Sequence, residues 1–334
     1  MFSKKQVLKH VVGWLVKTWK LLAMFIGSSI LFLALLLVVA VLAFSDKADD
    51  QTQNLSKRVV YKGSEQEIAV VRLTGEITSA TNDFFWGFNS FAINPRQVQR
   101  LVSNLTYLEQ VEAVLLVINS PGGSVAASEE IYQQLKLLSK VKPVYAYFEE
   151  LGASGGYYIA LPSKKIYASI PTITGSIGVI AYDPDFSGLM EKTGIRLNTY
   201  QSGPLKDLGS PTRSSTEQEK EIFNSIISDT YLLFVDRIQE HRNLSREEII
   251  QLADGRIYSG KQAAENGLVD EIGSFTQVLS MVAEDLNLDQ PTVSEYSLEV
   301  SFWSGLMSSS VERVLPSSLF NKGMINSVTG LYFY

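Results

Sequence analysis

Residues 21–44, LLAMFIGSSILFLALLLVVAVLAF, carry no charged side chain. A helix rises about 1.5 Å per residue and needs roughly 20 apolar residues to cross the hydrocarbon of a bilayer. This run is long enough, and a core helix rarely stays apolar all round for such a length. The apolar region of a cleavable signal peptide usually spans about 7–15 residues. The run here is longer, and although "VLA" before Phe44 resembles a weak cleavage site, an uncleaved anchor is the favoured reading. Lys4, Lys5, Lys9, Lys17 and Lys20 precede it, and Asp46, Asp49 and Asp50 follow. That asymmetry puts the N-terminus in the cytoplasm and the rest of the chain beyond the membrane. In a bacterium this is the periplasm or the outer surface of the plasma membrane. Residues 1–20 then form a basic cytoplasmic lead-in, with Trp14 and Trp19 at the interface, and 45–67 read as a polar linker.

Beyond the anchor the charge reverses. Five of the 29 basic residues lie before residue 21, leaving 24 to set against all 35 acidic ones. An acidic body argues against nucleic acid as a partner, since phosphate binding needs a basic surface. There is no cysteine, and the histidines are His10 and His241. Disulfides, thiol chemistry and cysteine- or histidine-built metal sites are thereby set aside.

From residue 68 strand and helix patterns alternate. IAVVRL (68–73), AVLLVIN (113–119), PVYAYF (143–148) and KIYAS (165–169) read as strands. Residues 96–109, 124–139, 154–161 and a long amphipathic 214–242 read as helices, with shorter ones at 245–253, 260–266 and 273–286. This order implies an α/β domain over 68–286 with mostly parallel pairing. A tail, 287–334, is irregular and serine-rich, with aromatic residues at its end.

Parallel α/β proteins place their sites at the carboxyl ends of strands. Two strands here end in glycine-rich loops that lead into helices: NSPGGS (119–124) and LGASGG (151–156). Helix-start N–H groups lack intrahelical partners, and glycine lets such backbone approach a ligand closely. Gly123 and Gly155 are the candidate donors to a developing oxyanion, and Ser154 is the candidate nucleophile. A phosphate cradle has little support, because neither GxxxxGK[ST] nor GxGxxG is present. On spacing alone a plain turn remains the default reading.

A serine nucleophile needs a base. His10 sits in the lead-in, and His241, near the end of a polar helix, reads as a solvated surface residue. A lysine can replace histidine in this role if it is neutral. With a free pKa of about 10.4, such a lysine must be shifted down by burial. SGPLKDLGSP (202–211) offers Lys206 between two Ser/Gly/Pro turns, but Asp207 beside it fits a surface ion pair equally. Local sequence alone reads Lys206 as a surface lysine.

Taken together, NSPGGSV (119–125), GASGGYYIA (152–160), TGSIGVI (174–180), SGPLKDLGSPTR (202–213) and GRIYSGKQAAENGLVDEIG (255–273) resemble the SppA family of signal peptide peptidases. The resemblance runs in order over about residues 68–285 and looks like the short form with one catalytic unit. It implies a ClpP/crotonase-like fold of repeated β-β-α units behind an N-terminal transmembrane helix. It implies Ser154 as nucleophile, Lys206 as general base, Gly123 and Gly155 as oxyanion-hole positions, and Ser176 as a hydroxyl orienting the lysine. It further implies cleavage of apolar peptides, namely signal peptides left in the membrane after preprotein processing. A ring-shaped homo-oligomer is expected, with the dyad completed between neighbouring subunits, and no metal or cofactor. Two other readings stand beside it: a related peptidase processing a specific membrane-protein partner, and an inactive scaffold of the same fold. An aromatic loop, DFFWGFNSF (83–91), fits either a chamber mouth or a subunit interface. The tail fits either a substrate mimic or a packing segment.

Overall fold

The computed structural model describes residues 55–79 and 92–298, Tyr332 and Phe333, and, near the N-terminus, residues 14, 18–20, 24, 31–33 and 35. The chain divides into two units, residues 1–54 and 55–334. In the first, the described residues are helical, and Trp14, Trp19, Met24, Leu31, Phe32, Leu33 and Leu35 are exposed. Among the described residues no helix is long and apolar enough to cross a membrane. Most of the expected anchor, and the whole aromatic loop 83–91, lie outside them.

The second unit is built on a twisted sheet whose longest strands are near-continuous apolar runs. These are β2 (Glu67–Thr74), β5 (Val111–Ser120) and β7 (Val144–Ala153), preceded in the chain by β1 (Leu55–Tyr61) and joined by β8 (Lys165–Ala168), β11 (Glu271–Ile272) and β12 (Thr292–Leu298). The order is β1-β12-β2-β5-β7-β8-β11. All neighbours are parallel except β1 on β12. Strands buried on both faces have no polar side to show, which is why these runs read as unbroken hydrophobic stretches.

Alternate residues supply the two faces. Val71, Leu73, Val114, Leu116, Ile118 and Phe148 meet one helical layer. It comprises α1 (Pro95–Thr106), α2 (Val125–Leu138), α3 (Gly155–Ala160) and the long α5 (Glu217–His241). Val70, Leu115, Val117, Tyr145 and Tyr167 meet Val278, Leu279 and Val282 of α8 (Phe275–Asp285) on the other face. Short helices α4 (Ser187–Thr193), α6 (Arg246–Leu252) and α7 (Gly260–Glu265) complete the set among the described residues. The helix starts follow local chemistry. Asn94 accepts the Arg96 N–H at 2.9 Å ahead of Pro95, and Thr216 with Glu219 closes a capping box on α5.

A second, small sheet has the order β13-β6-β3-β4, from β13 (Tyr332–Phe333), β6 (Gly123–Ser124), β3 (Glu76–Ile77) and β4 (Ala92–Ile93). Twice, then, a long strand is followed by a short strand of the second sheet and a helix: β2 with β3 and α1, and β5 with β6 and α2. This is the expected β-β-α unit.

Two expected boundaries differ. Leu55–Tyr61, expected within a linker, is an edge strand, and Thr292–Leu298, expected in an irregular tail, is inserted between β1 and β2. Neither has a long apolar run to betray it: the apolar residues Val59, Val60 and Tyr61 of β1 are only three and are exposed. From Lys57 onward β1 is exposed, and β12 interleaves Ser and Glu with its buried Val293 and Tyr296.

His241 also differs from expectation. It is half-buried, with Nε2 at 2.8 Å from the Tyr132 hydroxyl and its ring edge-on to Tyr132 at 5.6 Å. Burial lowers its pKa; Glu240 opposes that shift, and Lys136, Arg237 and Arg242 reinforce it. A depressed histidine contributes stability that is present above its unfolded value of about 6.5 and lost as pH falls through the folded value. Glu240 does not blur the window, because Lys136 holds its carboxyl down to about 2. The stability advantage of the wild type over His241→Asn is therefore expected to shrink between about pH 7.5 and pH 5. Thermal melts across that range test it, and a constant difference would refute the assignment.

Candidate active site

The site begins where β5 and β7 end. They run parallel, and after a shift of register beyond Ile118 and Phe148 Ser120 stands opposite Gly152, so their loops emerge side by side. The first loop is fixed by Ser120, whose hydroxyl donates to Gly75 O at 2.7 Å and accepts the Gly122 N–H at 3.2 Å. Gly122 O in turn accepts the Ile77 N–H at 2.8 Å, which ties the loop to β3. Gly123 has φ +150°, and a Cβ on it would fall 2.2 Å from Ile77 O.

The second loop turns sharply from β7 into α3. Ser154 occupies the turn with φ 52° and ψ −117°, a conformation that costs a non-glycine residue about 1–3 kcal/mol. Its N–H donates to Gly175 O at 2.8 Å, and its carbonyl accepts the Tyr158 N–H at 2.9 Å. Its hydroxyl is buried and has no hydrogen-bond partner among the described residues. Behind it, α3 is seated in the core: Tyr157 to Leu161 are fully buried, and the Tyr157 hydroxyl donates to Leu268 O at 2.8 Å.

The two loops touch backbone to backbone. A Cβ on Gly155 would lie 2.6 Å from Ser128 Oγ, 3.2 Å from Gly122 Cα and 3.3 Å from Gly123 N. A Cβ on Gly156 would lie 2.7 Å from Ser120 O. Gly123, Ser154 and Gly155 are thus brought together. Ser176 is close by: β9 (Ile173–Gly175) pairs with the end of β7, Ala153 opposite Gly175, and Ser176 follows directly. It too has a positive φ, 49°, and its N–H donates to Arg256 O at 2.8 Å, beside β10 (Ile257–Ser259).

Lys206 is not drawn into this cluster. Its side chain is exposed, in a run of turns between α4 and α5, and no hydrogen bond or ion pair among the described residues joins it to Ser154. His241, with Tyr132 and Glu240 as its neighbours, offers no alternative base to Ser154.

Sequence reasoning missed two features. One is the Asp207–Arg213–Glu219 chain of ion pairs beside Lys206, for which the charges around 207–219 were the available signal. The other is β13. Tyr332 and Phe333 lie antiparallel to β6, opposite Ser124 and Gly123 respectively, so the end of the chain forms a strand on the loop beside Ser154. Only the terminal aromatic cluster hinted at it.

Comparison with known proteins gives this arrangement a class. The model of the Clp protease family matches residues 88–169, and that of peptidase family S49 matches residues 136–289. A protease-named protein of Methanocaldococcus jannaschii is 41% identical over 234 residues, covering 70% of this chain and 75% of its own. A protein of Enterococcus faecium named for signal peptide peptidase SppA is 36% identical over 263 residues, covering 74% and 76%. Protease 4 of Haemophilus influenzae is 32% identical over 253 residues, covering 75% of this chain but 40% of its own. The second unit is therefore a serine-type peptidase domain of Clp protease-like α/β architecture. The chain belongs to peptidase family S49, the family of SppA, and peptides are its substrate class.

The glycine contacts yield a direct test. Gly156→Ala puts a methyl against the backbone carbonyl of Ser120, which the strand register holds in place, and is expected to destabilise the domain by about 1–3 kcal/mol. Urea unfolding measures it, and an unchanged midpoint would show that the two loops can separate without cost.

Proposed function

We propose that the protein is a membrane-anchored Ser/Lys endopeptidase that cuts apolar peptides, above all signal peptides left in the membrane after preprotein processing. The observation that carries the reading is Ser154 itself. Its hydroxyl is buried and has no partner among the described residues, on a strained strand-to-helix turn, against the backbone of two glycine loops. A buried hydroxyl without a partner loses stability, and strained turns of this type mark nucleophiles in acyl transfer.

The reaction follows from the parts. Ser154 Oγ attacks the peptide carbonyl carbon while the Lys206 amine takes the hydroxyl proton. Gly123 and Gly155 N–H groups hold the oxyanion, and Ser176 orients the amine. The tetrahedral intermediate expels the amine product, which receives the proton from Lys206. Water then attacks the acyl ester and regenerates Ser154. An extended substrate adds a strand to β6, the edge that Tyr332 and Phe333 occupy.

Two further elements belong to this reading. Lys206 is exposed, and among the described residues no base is hydrogen-bonded to Ser154, which supports a dyad completed by a neighbouring subunit. The segment carrying Lys206 also exposes Tyr182, Phe186, Leu189, Ile195, Leu197 and Tyr200, an apolar surface suited to a second copy in a ring. The uncharged run 21–44, with lysines before and aspartates after, supports a single anchor with the peptidase outside the cytoplasm.

Ser154→Ala and Lys206→Ala should each abolish cleavage of an apolar peptide, and a fluorophosphonate should label Ser154 in the wild type. Mixing the two inactive variants before assembly should restore part of the activity. Retained turnover in either single variant refutes the dyad, and no recovery on mixing places both residues of a dyad in one chain.

Removing residues 331–334 frees the β6 edge and should lower KM for peptides with little change in kcat. An unchanged KM would mean that substrates bind elsewhere.

A further inference from the structure

The segment that carries Lys206 has little to hold it. It leaves the body after Ile177 and returns at Glu219, and between those two residues only Gly209 is buried. Catalytic groups must be held to within about 0.5 Å of their working geometry, and burial does not do it here.

Local structure does. Lys206 lies in consecutive tight turns: its N–H donates to Gly203 O at 3.1 Å, Leu208 N–H to Leu205 O at 3.3 Å, and Ser210 N–H to Asp207 O at 3.0 Å. The adjacent Asp207 carboxylate is gripped by Arg213 through Nε at 2.9 Å and Nη2 at 2.8 Å. The same guanidinium grips Glu219 through Nη2 at 2.6 Å and Nη1 at 2.9 Å. Glu219 has a side chain only 1% exposed, and its carboxylate accepts the Thr216 N–H at 2.8 Å, closing the cap of α5. That helix is locked into the core by Phe234, Val235 and Ile238. A continuous set of charge-assisted bonds therefore runs from the residue after Lys206 to the buried Glu219 at the start of α5.

The geometry exceeds what an exposed ion pair needs. Arg213 makes a two-pronged contact with each carboxylate, a match to the planar guanidinium that lysine cannot reproduce. Arg213 holds the carboxyl of Asp207 below its ordinary range, and with the Thr216 N–H it holds that of Glu219 down to about 2. The network stays charged at any pH where a lysine base could work.

Resting on the reading of Lys206 as general base, we propose that Arg213 is a positioning residue for the reaction. Through Asp207 it fixes the Lys206 turn to the start of α5, and so sets where the amine stands relative to the hydroxyl it deprotonates. Arg213 itself touches neither substrate nor reacting atoms.

The test uses the full-length protein in detergent with an apolar peptide substrate, comparing Arg213→Gln, Arg213→Lys, Asp207→Asn and Lys206→Ala. Circular dichroism gives the folded fraction and size-exclusion chromatography the assembly. Asp207→Asn is the guard against misfolding, since it leaves the Arg213–Glu219 contact and the α5 cap in place. Arg213→Gln and Asp207→Asn should lower kcat on the order of 10- to 100-fold per folded enzyme, with KM near wild type. The acidic limb of the pH–rate profile should leave its wild-type position, and Arg213→Lys should recover part of kcat.

If both variants keep the wild-type kcat and pH limb while Lys206→Ala is inactive, the positioning role is wrong and the base assignment stands. If activity falls only in proportion to folded protein, Arg213 is structural and the proposal fails. If Lys206→Ala remains active, the base assignment falls and the positioning role with it.

Discussion

Everything at the site depends on two backbones meeting where no side chain fits. The start of α3 lies so close to the loop after β5 that a Cβ at Gly155 or Gly156 would collide with Ser128, Gly123 or Ser120. That closeness is set further down, by the parallel pairing of β5 with β7, which holds its register to Ile118 opposite Phe148 and, after an irregularity, brings Ser120 opposite Gly152. The sheet is held by burial on both faces, so the register cannot slip without moving a whole core face into the wrong layer. The rigidity of the sheet is thus passed to the loops, and the loops set Ser154 between Gly123 and Gly175. A strained residue persists only where its surroundings over-determine it; here the surroundings are the ends of three strands.

The peptidase reading splits the site into unlike halves. The proposed nucleophile and oxyanion donors belong to a closely packed part of the fold, while the proposed base belongs to a segment with almost no burial. Such a division suits a base that serves a neighbour, because a lysine that must reach out cannot also be packed into its own core. It also changes where precision comes from. For Ser154 it comes from packing; for Lys206 it comes from charge-assisted bonds running through Asp207 and Arg213 to Glu219.

What sequence could convey follows from this physics. The apolar strands were readable because burial on both faces leaves an unbroken hydrophobic signature, and the helices 125–138 and 217–241 because their caps are local. The glycine loops were readable as candidates but not as a site, since nothing in their spacing reveals that they touch. β1 and β12 were missed because β1 is exposed from Lys57 onward and β12 mixes Ser and Glu with its buried residues, so neither carries the unbroken apolar signature of a buried strand. His241 was misjudged because its partner Tyr132 is 109 residues away. Lys206 is the instructive case. Local sequence read it as a surface lysine, and in one chain it is exposed; only the family resemblance gave it a role.

The segment GRIYSG, 255–260, shows how far support for the site extends along the chain. It holds none of the reacting groups, yet it belonged to the resemblance. Its strand, β10, pairs antiparallel with β9, Ile257 opposite Gly175. Arg256 O accepts the Ser176 N–H, and the Tyr258 ring fills the space where a side chain at residue 175 would go. Gly260 donates to Thr172 O at 2.7 Å, and a Cβ on it would fall 2.0 Å from Ser169 O. The segment therefore clamps β9 from its outer side. β9 in turn supplies Gly175 O to the Ser154 N–H and places Ser176 next to it. Two serines with positive φ, on neighbouring strands, are kept in costly conformations by a stretch of chain about a hundred residues beyond the first of them. Strain at each serine is of the order of 1–3 kcal/mol, the same order as the burial of Tyr258 together with the hydrogen bonds of β10, so the clamp can offset it.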